Sequence, residues 1–289
     1  MGNARPTVAR RQLGLTLRRL REQARRSQTQ AGNAIGRTAA KISQVENGVA
    51  AMAVEDLTTL LDYFEVDEHE RETVLSLGVE ARRRSRRRTY TDNLPGSFQR
   101  LSDLEADAAE ICSYEPGIIP GLAQSPDYLR EVIRSCDGVW WESSEVEVEK
   151  RVAFRERQQR RVFAVSPPKR LAFVVGEDAL HHEVGSPSVM RGQILHMLQL
   201  MEGHPHLTVQ VVPKETKSNP LLGGGIIVLG FDVAPRIGCA TVIFGPCTYY
   251  DSEEDTSSLM RAFRRSTEIA LTVDESRYLL LRYLKESWA

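Results

Sequence analysis

The 289-residue chain reads as two folds in series: an N-terminal all-α domain of five helices, then a C-terminal α+β domain in which helices surround a small sheet. Three observations predict this. Between Arg10 and Leu77 apolar residues recur at helical spacing, punctuated by capping residues and glycines. Residues 81–90, ARRRSRRRTY, then carry six arginines with no apolar partners, which marks a boundary. Beyond Leu94, helical periods alternate with short apolar runs of strand length. The expected division is a helical domain over 1–80, an Arg-rich linker over 81–93 and the α+β domain over 94–289.

The first domain is organised around residues 27–48. Ser27 followed three residues later by Gln30 is a capping box, in which hydroxyl and amide satisfy two of the unpaired N–H groups that open a helix at Gln28. Gly36 can take the left-handed backbone that stops this helix without the penalty a Cβ imposes. Thr38 offers a second N-cap, and Ile42 and Val45 give the next helix one apolar edge. Two short helices joined by a tight glycine turn make a helix-turn-helix. A helix over Arg10–Arg25 precedes it, with Leu13, Leu17, Leu20 and Ala24 inward and arginines outward. Arg18, Arg19 and Arg21 are expected either in solvent or against phosphates. Residues 1 to 9 show no pattern. A fourth helix is expected through Val54, Leu57, Leu60, Leu61 and Phe64; Ala53 is a poor cap for it, but Glu55 and Asp56 suit the dipole of its first turn. Asp67 opens a fifth through Val74, Leu75 and Leu77.

At about 100° per residue, Ile42 and Val45 point inward with Ala39 close by, so Ala40, Gln44 and Asn47 face outward, flanked by Lys41 and Ser43. Such a small, amide-bearing and cationic surface can enter a DNA major groove, where methyl groups meet thymine methyls and glutamine bonds adenine bidentately. The plainer alternative is a helical hairpin that only packs on its neighbours. The spacing of Gln28, Gly36, Ile42 and Glu46-Asn47-Gly48 resembles the lambda-repressor-like, xenobiotic-response-element family of DNA-binding domains. It departs from that family at Ala31-Gly32, where a larger apolar residue and then alanine are usual. The candidate DNA-binding residues are Gln28, Arg37, Thr38, Ala39, Ala40, Lys41, Ser43, Gln44 and Asn47. A homodimer is expected, because one recognition helix reaches only a few base pairs and members of the resembled family commonly bind inverted repeats.

Bulk properties bound the remaining classes. A hydrophobic content of 41% suffices for ordinary cores in about two domains. No run of about 18 apolar residues occurs, and the amino terminus lacks an apolar signal region, so a soluble, cytoplasmic protein is expected. Cys112, Cys136, Cys239 and Cys247 form no CxxC pair and read as reduced, mostly buried thiols. The formal net charge of −1 conceals an asymmetry: residues 1–48 hold ten Lys/Arg against two acids, and residues 89–289 hold 21 against 28. A basic head on an acidic body suits a DNA-binding module joined to a module of another kind. The arginines from Arg82 to Arg88 read equally as a basic arm on the phosphate backbone and as a charged segment paired with the body.

In the body, Phe98, Leu101, Leu104, Ala108 and Ile111 predict a helix. Residues 113–128 follow, with three prolines and two glycines that predict a fixed buried turn, and Ser125 caps a short helix from Pro126. Further helices are expected at 146–163, 187–202, 257–270 and 274–288. Strands are expected at 171–175, 207–212, 226–231 and 241–244, the middle pair separated by a Gly-rich, hairpin-like segment. The blocks YEPGIIPGLAQSPDYLR, GEDALHHEVGSPSVMRGQILHML and LTVQVVP resemble the carboxy-terminal domain of WhiJ-like actinobacterial regulators, while residues 245–255 depart from the pattern. That resemblance implies an antitoxin-like regulator paired with a small neighbouring protein.

No ordered catalytic set is visible. His181-His182 and His204 with His206 lack helical i, i+4 spacing for a metal and read as surface or helix-end histidines. Residues 223–225, GGG, lack the strand and Lys-Ser/Thr helix of a phosphate loop and read as a turn. Glu177-Asp178 could be an acid/base pair but suits a helix cap as well, and Trp140-Trp141 and Tyr249-Tyr250 suit a binding surface or a core. The expectation is a sequence-specific transcriptional regulator, not an enzyme, with no cofactor or metal, whose C-terminal domain binds a small partner protein or effector. The alternative is an enzyme or small-ligand-binding protein carrying a DNA-binding head.

Overall fold

Local capping accounts for the head. In the computed structural model, which describes residues 7–83, 89–139, 144–241 and 247–288, five helices fill its first 82 residues. They are α1 (Val8–Gln23), α2 (Gln28–Ala34), α3 (Ala39–Glu46), α4 (Val54–Tyr63) and α5 (Glu68–Arg82). Ser27 and Gln30 make the reciprocal capping box, Thr38 accepts from Lys41 N, Asp67 accepts from Glu70 N, and Ala53 makes no side-chain cap. Gly36 sits at φ +64°, so the turn between α2 and α3 uses the backbone freedom expected of it. The core joins Leu13, Leu17 and Leu20 to Ala31, Ile42, Val45, Leu57, Leu61 and Leu77. Helix α1 begins at Val8 rather than Arg10, capped by Thr7, because Val8 and Ala9 are both buried.

The body is a three-layer α+β fold. It contains β1 (Thr89–Thr91), α6 (Ser97–Asp107), β2 (Glu110–Glu115), α7 (Pro126–Ser135), α8 (Glu145–Phe163), β3 (Arg170–Gly176) and α9 (Asp178–His181). These are followed by α10 (Pro187–Gly203), β4 (Leu207–Val212), β5 (Ile226–Gly230), β6 (Ile237–Ala240), β7 (Thr248–Tyr250), α11 (Glu253–Ile269) and α12 (Val273–Glu286). The seven strands run in the order β1-β7-β6-β5-β2-β3-β4, with β2, β3 and β4 parallel and the remaining pairs antiparallel. One face, with Ile111, Phe173, Val175 and Val209, packs on Met190, Ile194, Leu280 and Tyr283; the other, with Cys112, Tyr114, Val174 and Val228, packs on Met260 and Phe263.

Several elements differ from expectation for one reason, long-range strand pairing. Ile111 lies in the central strand β2 and not at the end of a helix: α6 stops at Asp107, Ala108 is extended, and Ala109 N donates to Gly230 O at 2.8 Å. Phe98, expected on the apolar side of that helix, is exposed. Strands β4 and β5 form no hairpin, since β2 and β3 lie between them. A strand not expected from the sequence forms at Ile237–Ala240, and of the strand expected at 241–244 residues 242–244 lie outside the described residues. Within the stretch expected as a linker, Ala81 and Arg82 close α5, Thr89–Thr91 pair with Thr248–Tyr250, and Arg84 to Arg88 lie outside the described residues.

Head and body meet along α1. Val8 and Leu15 join the body's core. Arg11 pairs with Asp107 and lies 3.8 Å over the Phe231 ring, Gln12 Nε2 donates to Asp92 at 3.2 Å, and Val8 N donates to Asp251 at 3.0 Å.

Candidate nucleic-acid interface

The interface is built by pressing α3 against α1. A Cβ on Gly14 would lie 2.6 Å from the Glu46 carbonyl oxygen, so only glycine lets the two helices approach this closely. A Cβ on Gly32 would lie 2.7 Å from Arg37 O, so the departure at Ala31-Gly32 is what lets α2 sit on the turn. Ile42 and Val45 are buried beneath α3, and Glu46 beside them is buried as well. Its carboxylate accepts from Arg21 Nε at 2.6 Å, from Arg21 Nη2 at 3.1 Å and from Gln28 Nε2 at 2.8 Å. This hydrogen bond with Glu46 pushes the Arg21 guanidinium above its ordinary value. A buried charge is tolerated here because it is paired and its lone pairs are filled.

The outward face of α3 presents Ala40, Gln44 and Asn47 to solvent, with Arg37 and Thr38 exposed at its start and Ala39, Lys41 and Ser43 half-buried. The members of this set differ in how far they are already engaged. Arg37 pairs with Asp56 at 3.1 Å, Lys41 Nζ donates to Ala51 O at 3.2 Å, and Asn47 accepts from Arg18 Nη2 at 2.7 Å. Gln28 is committed to Glu46. Gln44 is exposed, and among the described residues its amide makes no hydrogen bond, while its carbonyl accepts from Val49 N and Ala50 N and so fixes the turn after α3. Arg18, Arg19 and Arg21 of α1 are half-buried or buried and engaged within the protein rather than standing free: Arg21 is held by Glu46, Arg19 by Glu70 at 2.8 Å, and Arg18 is shared by Asn47, Glu46 and Asp107. Sequence reasoning missed the Arg21–Glu46–Gln28 network. An acid at 46, one and four residues after Val45 and Ile42 on an otherwise apolar edge, is the signal that points to it.

Comparison with known families matches residues 98–282, more than half of the chain, to a family described as domain of unknown function DUF5753. The chain belongs to that family. Residues 12–74, which span α1 to α5, match a helix-turn-helix domain. Among solved structures, the archaeal chromatin protein TrmBL2, reported with a novel mode of DNA binding, is similar at 10% identity and a TM-score of 0.30. The alignment covers 73% of this chain, which spans 64% of the TrmBL2 chain. No curated protein matches the sequence.

In this DUF5753 chain two of the groups that invited an enzymatic reading, Glu177 and Tyr249, have structural partners. Glu177 accepts from Tyr283 OH at 3.0 Å and from Lys214 N at 3.1 Å, which ties α12 and the segment after β4 to the end of β3. Tyr249 is buried in the core, 6.2 Å from the Tyr90 ring, and Gly223 lies in a turn that Gly224 N closes on Leu221 O at 3.3 Å. Trp140 and Trp141 lie outside the described residues. Among the described residues no cluster of three or more His, Cys, Asp or Glu is placed to hold a metal, and no helix is long and apolar enough to cross a membrane. Burial, opposed by a hydrogen bond with Thr241, pushes the Glu115 carboxyl up to about 7.

Proposed function

We propose that the chain is a sequence-specific DNA-binding transcriptional regulator, with residues 1–80 reading an operator and residues 94–289 modulating that reading on binding a small partner protein or effector. The observation that carries this is the exposed α3 face, on which Gln44 keeps its donor and acceptor free while Gly36 and Thr38 fix the helix-turn-helix beneath it. Of the candidate set, Gln44 and Ala40 are assigned to base edges and Thr38, Lys41 and Ser43 to the backbone. Arg37 reaches phosphate by exchanging Asp56 for it, Asn47 donates to phosphate through Nδ2, which otherwise makes only a long 3.4 Å bond to Ser43 Oγ, and Gln28 holds Glu46 in place. The operator is an inverted repeat bound by a homodimer, since one such helix covers only a few base pairs. The acidic balance of residues 89–289 keeps the body off the phosphates. Together with the resemblance to antitoxin-like regulators, this supports a partner-binding role for the body. The test is selection of random duplex DNA by the full-length chain, followed by solution mass of the complex. An enriched palindrome bound by two chains is expected; no enrichment over input, or a monomer on the selected site, contradicts the proposal.

A further inference from the structure

The seam between head and body opens into a cleft of about 560 Å³, walled by α1, α6 and α8. Four guanidinium groups line it, Arg18 and Arg19 from α1 and Arg157 and Arg161 from α8, against the acids Glu22, Asp103 and Asp107. Their commitments are unequal. Arg161 donates to Asp103 at 2.7 Å and Arg19 to Glu70 at 2.8 Å. Arg157 is exposed and makes no ion pair or hydrogen bond among the described residues. Asp103 is buried, and its Oδ2 lies 3.4 Å from Arg19 Nε, yet neither atom makes a hydrogen bond. A buried donor left without a hydrogen bond is costly, so an acceptor that reaches Arg19 Nε is favoured there. Leu15 and Phe154 add apolar surface beside the guanidiniums.

We infer that this cleft binds a small organic phosphate, and that its occupancy reaches the recognition helix through Arg18. Guanidinium forks arriving from two helices suit a tetrahedral phosphate, which accepts from several directions, better than a planar carboxylate, which one fork satisfies. The apolar wall accommodates the organic part. Arg18 is the connection: it lines the cleft, and its Nη2 also donates at 2.7 Å to Asn47, the residue that caps α3. An anion that engages Arg18 withdraws that donor from Asn47 and weakens the tie of α1 to α3, so operator affinity and phosphate affinity are linked. The coupling rests on the reading of α3 as the DNA-recognition helix; the binding site does not.

Two titrations of the full-length chain test this, with inorganic pyrophosphate as the probe and ionic strength held constant by chloride. In the first, calorimetry compares the wild type with Arg157→Ala and Lys41→Ala. Arg157 makes no ion pair or hydrogen bond among the described residues, so its variant is expected to melt as the wild type does while binding pyrophosphate about tenfold more weakly. Lys41→Ala, altered on the α3 face, binds pyrophosphate as the wild type does. A wild type that binds no pyrophosphate, or an Arg157→Ala variant that binds it equally well, overturns the site. In the second, affinity for selected operator DNA is measured with and without saturating pyrophosphate. A change in the wild type that is absent from Arg157→Ala supports the coupling, and identical operator affinities in the wild type overturn it. Should the chain bind pyrophosphate but select no DNA, the DNA-binding reading fails and the cleft stands.

Discussion

Helices α1 and α3 lie against each other, and both present polar faces that suit DNA, yet their side chains are disposed in opposite ways. On α1 the cations are engaged within the protein: Arg11 with Asp107, Arg19 with Glu70, Arg21 with Glu46, and Arg18 among three partners. On α3 the outward face carries Gln44 with its amide unengaged, and Ala40 with nothing to engage. A count of charge along the chain therefore overstates what the head offers to phosphate. The excess of ten cations over two acids in residues 1–48 serves largely to fasten α1 to α3, α5 and α6. Availability, not composition, marks the proposed reading surface, and the fastened cations hold that surface in place.

Removing the fastening is the strongest way to break this contrast. Glu46→Ala leaves the Arg21 guanidinium buried without its carboxylate, and destabilisation of about 3–5 kcal/mol is expected in denaturant unfolding. A loss under about 1 kcal/mol would mean that Arg21 finds other partners and the network is dispensable. The body supplies a second, half-buried carboxyl. Glu115 is raised from an ordinary 4.5 to about 7 by burial. Its neutral form is favoured in the folded state, so the stability it contributes is complete below pH 4.5 and is lost as pH rises through about 7. At about 1.4 kcal/mol per pH unit, a rise from 4.5 to about 7 corresponds to a loss of about 3 kcal/mol. Melting scans from pH 4.5 to 8 should show this decline in the wild type and a flatter profile in Glu115→Gln; equal slopes would show that another group carries it. Gly14→Ala tests the contact between the two helices directly. Its methyl meets the backbone carbonyls of Val45 and Glu46, which cannot yield without moving α3. Overpacking of about 1–3 kcal/mol and weaker DNA binding are expected together. Unchanged stability would show that α1 shifts freely along α3.

Head and body also differ in how much of each is legible in the sequence. Ser27, Gln30, Gly36, Thr38 and Asp67 act on backbone groups within a turn of themselves, so the helix limits they set follow from the sequence alone. Strand β2 does not. It is covered on both faces and so shows no alternation, and Ile111 continues the spacing of Leu101, Leu104 and Ala108 as though the helix ran on. What makes it a strand is pairing with Arg170–Val175 and with Ile226–Gly230, segments far along the chain. The same division holds at the interface. The outward placement of Gln44 follows from helical geometry, whereas the engagement of Arg18 with Asn47 and of Gln28 with Glu46 depends on how α1 and α2 pack against α3. Arg18 and Asn47 are 29 residues apart, beyond the reach of any local pattern.

Gln44 offers the most direct test of α3 as the helix that reads the bases. Alanine is the better helix former and the amide has no partner to lose, so Gln44→Ala should melt as the wild type does. Its effect belongs to recognition: one bidentate contact to adenine discriminates by about 1–3 kcal/mol. The measurement is the affinity of wild type and Gln44→Ala for every single-base change in the selected operator, at one fixed salt concentration. Relaxed preference at one position per half-site, with the other positions unchanged, is the expected result. Full retention of the wild-type preference at every position would contradict the assignment of α3 as the helix that reads the bases.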